Sequence, residues 1–331
     1  MLLKTFSTNK QLNALLILFN LIGVQIAFSQ ERTVEAEIDT AYHFKFQPQK
    51  ELHRKSILID ASHNTIYSKT SGKLTAREML SIMEKDGYKI NFTKSRLNYD
   101  FLKNSKSDLL ILHGMPNDRI ILNSGKKKEI LYKSPLGDDE VIGIAKYVYD
   151  GGSLFLFLSH FPNGSGALPL LESFSVKFRD GSAFHHNDPG RNCGKCSHFV
   201  MTQKNRMINY SHPVFKTSLS KTLLPETVKF LCGAAIFRNP EDNILPFPNN
   251  TINFTPTTDG SLDIEERSDS YSGMIGFEFG AGRVIICTDQ GIFRSLDIFI
   301  DGDKIPVTIH DPESENAKLL LNSIRWLTKA Q

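Results

Sequence analysis

Between His185 and His198 the sequence reads HHNDPGRNCGKCSH, the densest run of metal-ligating and redox-capable side chains in the chain. Cys193 and Cys196 stand at C-x-x-C spacing, with His185 and His186 before them and His198 after. Two thiolates, His198 and one of the two earlier histidines supply the four ligands of a tetrahedral zinc site. In an oxidising compartment the same cysteines close a small disulfide loop instead. A thioredoxin-like redox pair needs a strand-to-helix setting, which this loop lacks. A second set of groups is spread along the chain at the ends of apolar runs: Asp60 and His63, His113, Ser159 and His160, and Asp289. Were those ends to adjoin, three imidazoles and a carboxylate would face one cleft, with Asp60 orienting His63, a set suited to zinc or another divalent metal, or to acid–base work. Each histidine can equally finish its strand by bonding into a loop, and ten histidines make coincidence easy. Convergence would favour a metal-assisted hydrolase; dispersal would favour a binding module.

The elements that must position these groups alternate. Ser56–Ala61 (SILIDA), Tyr88–Phe92, Asp108–His113 (DLLILH) and Ser153–Leu158 (SLFLFL) are short apolar runs, as expected of strands buried on both faces. Thr75–Glu78 has capping-box spacing and opens an amphipathic helix that ends at Gly87. Asp138 can cap a second helix, with Val141, Ile144, Ala145 and Val148 at helical spacing and Gly151-Gly152 as the stop. The polar insertion carrying Lys126–Lys128 reads as a solvated loop. Beyond Ser175 the pattern loosens, with strand character at 228–231 and a hairpin joining Leu262–Glu266 to Met274–Phe279. Regularity returns with a strand at Gly282–Thr288 and a helix at Asn316–Leu327 that closes the sheet, with Trp326 or its neighbours packed beneath it. Strands alternating with helices imply right-handed crossovers and an α/β fold: a doubly wound, mostly parallel sheet with β-rich elaborations in the second half. Cys232 and Cys287 lie in apolar runs and read as small buried side chains.

The first 29 residues have the make-up of a secretory signal: Lys4 and Lys10, an apolar stretch over Leu12–Phe28, then Ala27 and Ser29 before a cleavage point at Gln30. Asn13, Asn20 and Gln25 interrupt a stretch already shorter than the roughly 20 apolar residues of a spanning helix. The expected product is exported, periplasmic or extracellular, with an exposed lead-in over 30–54, a single α/β domain over 55–331 and no transmembrane span. Loss of Lys4 and Lys10 lowers the net charge from +3 to +1, too little to draw nucleic acid or an anionic membrane. Asn-x-Ser/Thr triplets at Asn91, Asn163, Asn209, Asn249 and Asn253 matter only in a glycosylating host.

Five segments occur in a familiar order: IDASHN (59–64), DDEVIGIAKYVYDGGSLFLFL (138–158), NYSHPVF (209–215), GRVIICTDQGIF (282–293) and NAKLLLNSIRWL (316–327). Together they resemble the class I glutamine amidotransferase-like superfamily, nearest to the non-catalytic-looking branch of GIFT domains and DUF4350 proteins. The likeness implies a flavodoxin-like sheet over about residues 55 to 329. In catalytic relatives a cysteine nucleophile occupies a sharp turn after a strand, where backbone N–H groups stabilise thiolate and oxyanion. Here Ser159-His160-Phe161-Pro162 follows that strand, and Asp289-Gln290-Gly291 stands where a His/Glu pair would activate the nucleophile. Glutamine hydrolysis is therefore not expected. A serine beside a strand end is more often a turn residue than a nucleophile. The expected role is binding of a small polar, carbohydrate-like ligand or a partner protein in the crevice at the strand ends.

Overall fold

The computed structural model describes most of residues 34–330; outside the description lie 1–33, 39–41, 50–51, 53, 64, 66–75, 117, 125–126, 162, 186–191, 194–195, 217–222, 232, 250, 257–261, 267–270, 295, 301, 306–308 and 331. The leader expected at 1–29, Lys126, Thr75, His186 and Cys232 thus fall outside the described residues.

Nine strands form the central sheet: β1 (Ser56–Asp60), β2 (Lys89–Thr93), β3 (Leu109–His113), β4 (Ser153–Phe157), β5 (Lys177–Arg179), β6 (Ala235–Phe237), β7 (Asn243–Pro246), β8 (Ser272–Phe279) and β9 (Gly282–Cys287). Their spatial order is β2-β1-β3-β4-β9-β8-β6-β5, with β7 also on β8. The first five are mutually parallel and the rest antiparallel. The parallel part has the flavodoxin-like strand order, which reverses direction between β1 and β3. The helices are α1 (Arg77–Lys85), α2 (Tyr99–Ser105), α3 (Asp138–Tyr149), α4 (Leu168–Ser173) and α5 (Asn316–Leu327). The doubly wound, mostly parallel α/β sheet expected from the sequence is formed.

Its cause is visible in the strands. Side chains alternate across a strand, so Ile57 and Ile59 enter one core with α1 and α5, while Leu58 enters the other with α2, α3 and α4. Leu109 and Ile111, Phe155 and Phe157, and Ile285 and Cys287 repeat the first choice; Leu110 and Leu112, Leu154 and Leu156, and Val284 and Ile286 repeat the second. A run apolar at every position is what two covered faces require. Helix α5 seals the first face over the bounds expected, with Trp326 buried against His212, whose ring centroid is 5.6 Å away.

Four expectations change. Leu262–Glu266 pairs with Thr251–Pro256, and β8 turns instead into β9. The missed signal was Gly280-Ala281: Gly280 has φ +60°, and a Cβ there would lie 2.4 Å from the Tyr149 carbonyl, so only glycine suits this tight turn. Lys127 and Lys128 of the basic run belong to a two-stranded hairpin, Asp118–Ser124 with Lys127–Lys133, in which Ile120 faces Leu131 and Ile121 faces Ile130; Ile120 and Leu131 stay exposed. The helix opening expected at Thr75 starts at Arg77, with Ala76 at the N-cap and no side-chain cap.

The lead-in is not simply exposed. Val34–Ile38 pairs antiparallel with Leu296–Ile300. Tyr42, Phe44 and Phe46 pack against the first core, alternating with exposed His43, Lys45 and Gln47. Leu52 is buried, and the Gln49 N–H donates to Asp86 Oδ1 at 3.2 Å. Asp86, just past α1, also accepts two bonds from Arg325 of α5, at 2.9 and 2.6 Å, and both side chains are almost wholly buried.

Candidate functional site at the carboxyl ends of the parallel strands

In an open parallel sheet the ligand crevice lies outside the carboxyl ends of the strands, where the strand order reverses. Here that is the space beyond β1 and β3. Strand β1 delivers Asp60 there, fully buried, and the chain turns at once. Asp60 Oδ1 accepts from the Ser62 N–H at 3.0 Å and the Ser62 hydroxyl at 2.6 Å; Oδ2 lies 2.9 Å from His63 Nδ1. On its other side, His63 Nε2 lies 3.1 Å from Glu140 Oε1. Glu140 opens α3: its Oε2 accepts from the Gly137 N–H at 3.0 Å and its Oε1 from the Leu97 N–H at 2.9 Å.

His63 thus bridges two carboxylates, an arrangement that favours its imidazolium form. Burial by itself would lower its pKa, but the bond to Asp60 and the charges of Asp60 and Glu140 outweigh that and raise it. For Asp60, burial works to raise the pKa and is outweighed by the bonds from His63 and Ser62, so the carboxyl sits below its ordinary value. With both ring nitrogens engaged, His63 has no lone pair for a metal or a proton. Nor do Ser62, His63 and Asp60 form a catalytic relay, since serine and aspartate both lie on the Nδ1 side. The sequence reading missed Glu140; its spacing from Gly137 marks a helix cap, but nothing local links it to His63.

The other strand ends are separately employed. His113 is buried, donates from Nε2 to the Gln290 carbonyl at 3.0 Å and lies against Phe157. Asp289, next to Gln290, accepts from the Leu231 and Gly291 N–H groups at 2.9 and 2.7 Å. Burial pushes its carboxyl up to about 6 despite those bonds and the charge of Arg294. His160 Nδ1 meets the carbonyl of its neighbour Phe161 at 2.7 Å, and Ser159 is buried. Among the described residues, which include all of these, no three His, Cys, Asp or Glu side chains gather as a metal requires. The shared His/Asp centre expected of a metal-assisted hydrolase is therefore not assembled: His63 is held toward α3 and His113 toward the loop after β9.

Beyond β4, the stretch that carries a nucleophile in catalytic amidotransferases folds against the end of β5. The Phe161 N–H bonds the Gly181 carbonyl at 3.0 Å. A Cβ on Gly164 would lie 2.4 Å from the Ser159 carbonyl and from the Phe178 ring, which fixes the closeness of the two segments. Between them Asp180, bonded by Ser165, has an Oδ1 that is shielded from solvent and meets no donor, and burial lifts its carboxyl to about 6. An acid after a short strand gave no sequence signal beyond the Asp-Gly turn.

Of the second motif, the backbone is described only in part. Cys193 pairs directly with Cys196 in an antiparallel ladder, and His198 stands in the continuing strand opposite Leu231. His185 ends a strand and pairs with Thr251. The side chains of His185, Cys193 and Cys196, and all of His186, lie outside the description, so neither the disulfide nor the zinc site is decided. Cys287 is free, fully buried and thereby held well above the usual thiol range, in keeping with a small core residue.

No protein-family model matches the sequence, and no curated protein matches it. Among solved structures, the mmIFT52 N-terminal domain aligns with 84% of this chain and 99% of its own, at 14% identity and a TM-score of 0.50. ThuA-like proteins from Bacteroides uniformis ATCC 8492 and Parabacteroides merdae ATCC 43184 align with TM-scores of 0.42 and 0.40, each at 14% identity, over 87% and 86% of this chain and 95% and 91% of theirs. At such identities the first of these likenesses extends to the fold alone.

Proposed function

We propose that this chain is an exported amidotransferase-like domain of the GIFT/DUF4350 kind, without the catalytic cysteine, that binds a small polar, carbohydrate-like ligand at the carboxyl-end crevice. The observation that carries the reading is the loop pair beyond β4. A serine stands where a nucleophilic cysteine would, and beside it Asp180 holds a carboxylate oxygen out of water with no protein donor. Such an oxygen is costly to leave unmet and is satisfied by a ligand hydroxyl. The likeness to the mmIFT52 N-terminal domain supports the fold on which this reading rests.

Screening the purified protein against an oligosaccharide array, followed by calorimetry, tests the proposal. Affinity should rise as pH increases through about 6, where Asp180 ionises. Asp180→Asn should weaken binding by about tenfold, the worth of a bond to a charged group. The same variant should be more stable at pH 7, by about 1–3 kcal/mol, because the native fold raises this carboxyl above its ordinary value and so loses stability as pH climbs. No saccharide binding at all would sink the reading, and capture of a protein partner alone would replace it.

Export is supported by the leader at 1–29, and it sets the expectation for Cys193 and Cys196. The protein recovered from the exported fraction should begin at Gln30, with this pair oxidised and no bound metal. Stoichiometric zinc with free thiols would overturn the disulfide, and a cytoplasmic product beginning at Met1 would overturn export.

A further inference from the structure

At the opposite edge of the sheet, under the amino-terminal ends of β1, β3 and β4, lies a cavity of about 420 Å³. Its volume falls in the range of small-molecule sites. Four lysines line it, Lys55, Lys103, Lys106 and Lys329, against two carboxylates, Asp108 and Asp150. Both carboxylates are already engaged: Asp108 by Lys55 at 2.9 Å, and Asp150 by Lys146 at 2.9 Å and by the Tyr99 hydroxyl. Burial and then the charges of Arg283 and Lys55 hold the Lys329 ammonium below its ordinary value, and that ammonium donates to the Gly151 and Ala281 carbonyls at 3.3 and 2.5 Å.

The backbone provides a second, independent observation. Lys106 and Lys329 each have φ 54°, in the left-handed region, just past the ends of α2 and α5. Glycine fills such positions at least cost. Attraction of lysine to a helix carboxyl end explains a lysine in the last turn, but not one placed on the residue where a side chain is strained. Two of the four non-glycine residues with positive φ among the described residues bear lysines on the wall of this one cavity. Strain held at two points around one cleft is characteristic of a functional site.

We infer that this cavity is a second site, distinct from the carboxyl-end crevice, for a small ligand carrying a phosphoryl or sulfate group, held by the ammonium groups of Lys103 and Lys106 with Lys55 and Lys329 beside them. The assignment does not depend on what the crevice binds. Titration of the full chain with inorganic phosphate, followed by calorimetry at low ionic strength, should give one site per chain. Lys103→Gln and Lys106→Gly should each weaken it by about tenfold, as loss of a charge-assisted bond does. Lys106→Gly carries the sharper test, because it relieves the backbone strain: its Tm should equal or exceed that of the parent while phosphate binding falls. No phosphate binding, or binding by both variants as tight as the parent's, would overturn the site. Binding to phosphatidylglycerol vesicles that phosphate does not compete would overturn it in favour of a membrane-docking patch.

Discussion

Asp86→Asn should lower the unfolding free energy by about 3–5 kcal/mol, the largest effect expected of any single substitution here. The change leaves the Arg325 guanidinium, 2 % exposed at its side chain, without its counter-charge. It also weakens the bond that anchors Gln49 and, through it, the strap over 42–52. Arg325→Met should cost a similar amount. The double replacement Asp86→Leu with Arg325→Met should recover most of it, because the pair itself is not strongly favourable: burial pushes the Asp86 carboxyl above its ordinary range, and the guanidinium pulls it only part of the way back. Urea unfolding of the three variants measures this. A double variant as unstable as the singles would show that the ion pair is irreplaceable.

His63→Ala comes second, at about 3 kcal/mol, and its cost depends on pH. Removal of the imidazolium leaves Asp60 and Glu140 as two buried carboxylates without the cation between them. His63 has a raised folded pKa, so its contribution is complete below 6.5 and fades as pH rises through the folded value. Asp60 has a lowered one, so its contribution is complete above 3.8 and fades as pH falls through the folded value. The latch is therefore strongest between pH 3.8 and 6.5. Denaturation midpoints of parent and variant should differ most near pH 5.5 and converge toward pH 9. A gap of equal size at both would rule out an ionic latch.

The parallel half of the sheet was legible because its signal is local. SILID, LLILH and SLFLF each announce a doubly covered strand, and Gly87 and Gly151 mark where two of the helices stop. The antiparallel half was less so. Leu262–Glu266 and Ser272–Phe279 are neighbours in sequence and both strands, yet each pairs elsewhere, since full burial of β8 draws it into the central sheet. The site was legible as places rather than as partners. Asp60, His63, His113 and Asp289 do finish strands at one edge, but their roles depend on Glu140, Gln290 and Leu231, which lie 77, 177 and 58 residues from the groups they bond. Composition and periodicity carry no information about pairs so distant. Asp180 was missed for a related reason, since its unmet oxygen arises only when two loops close over it.

Strand β9 is the seam of the sheet, with β4 on one side and β8 on the other. It is also made late, at residues 282–287, and α5 follows it. A chain emerging from the ribosome can gather β1 to β4 early, but it cannot join the parallel and antiparallel halves, or cover the first core, until residue 327 is free. Synthesis at about 5–20 residues per second leaves the nascent molecule open for many seconds.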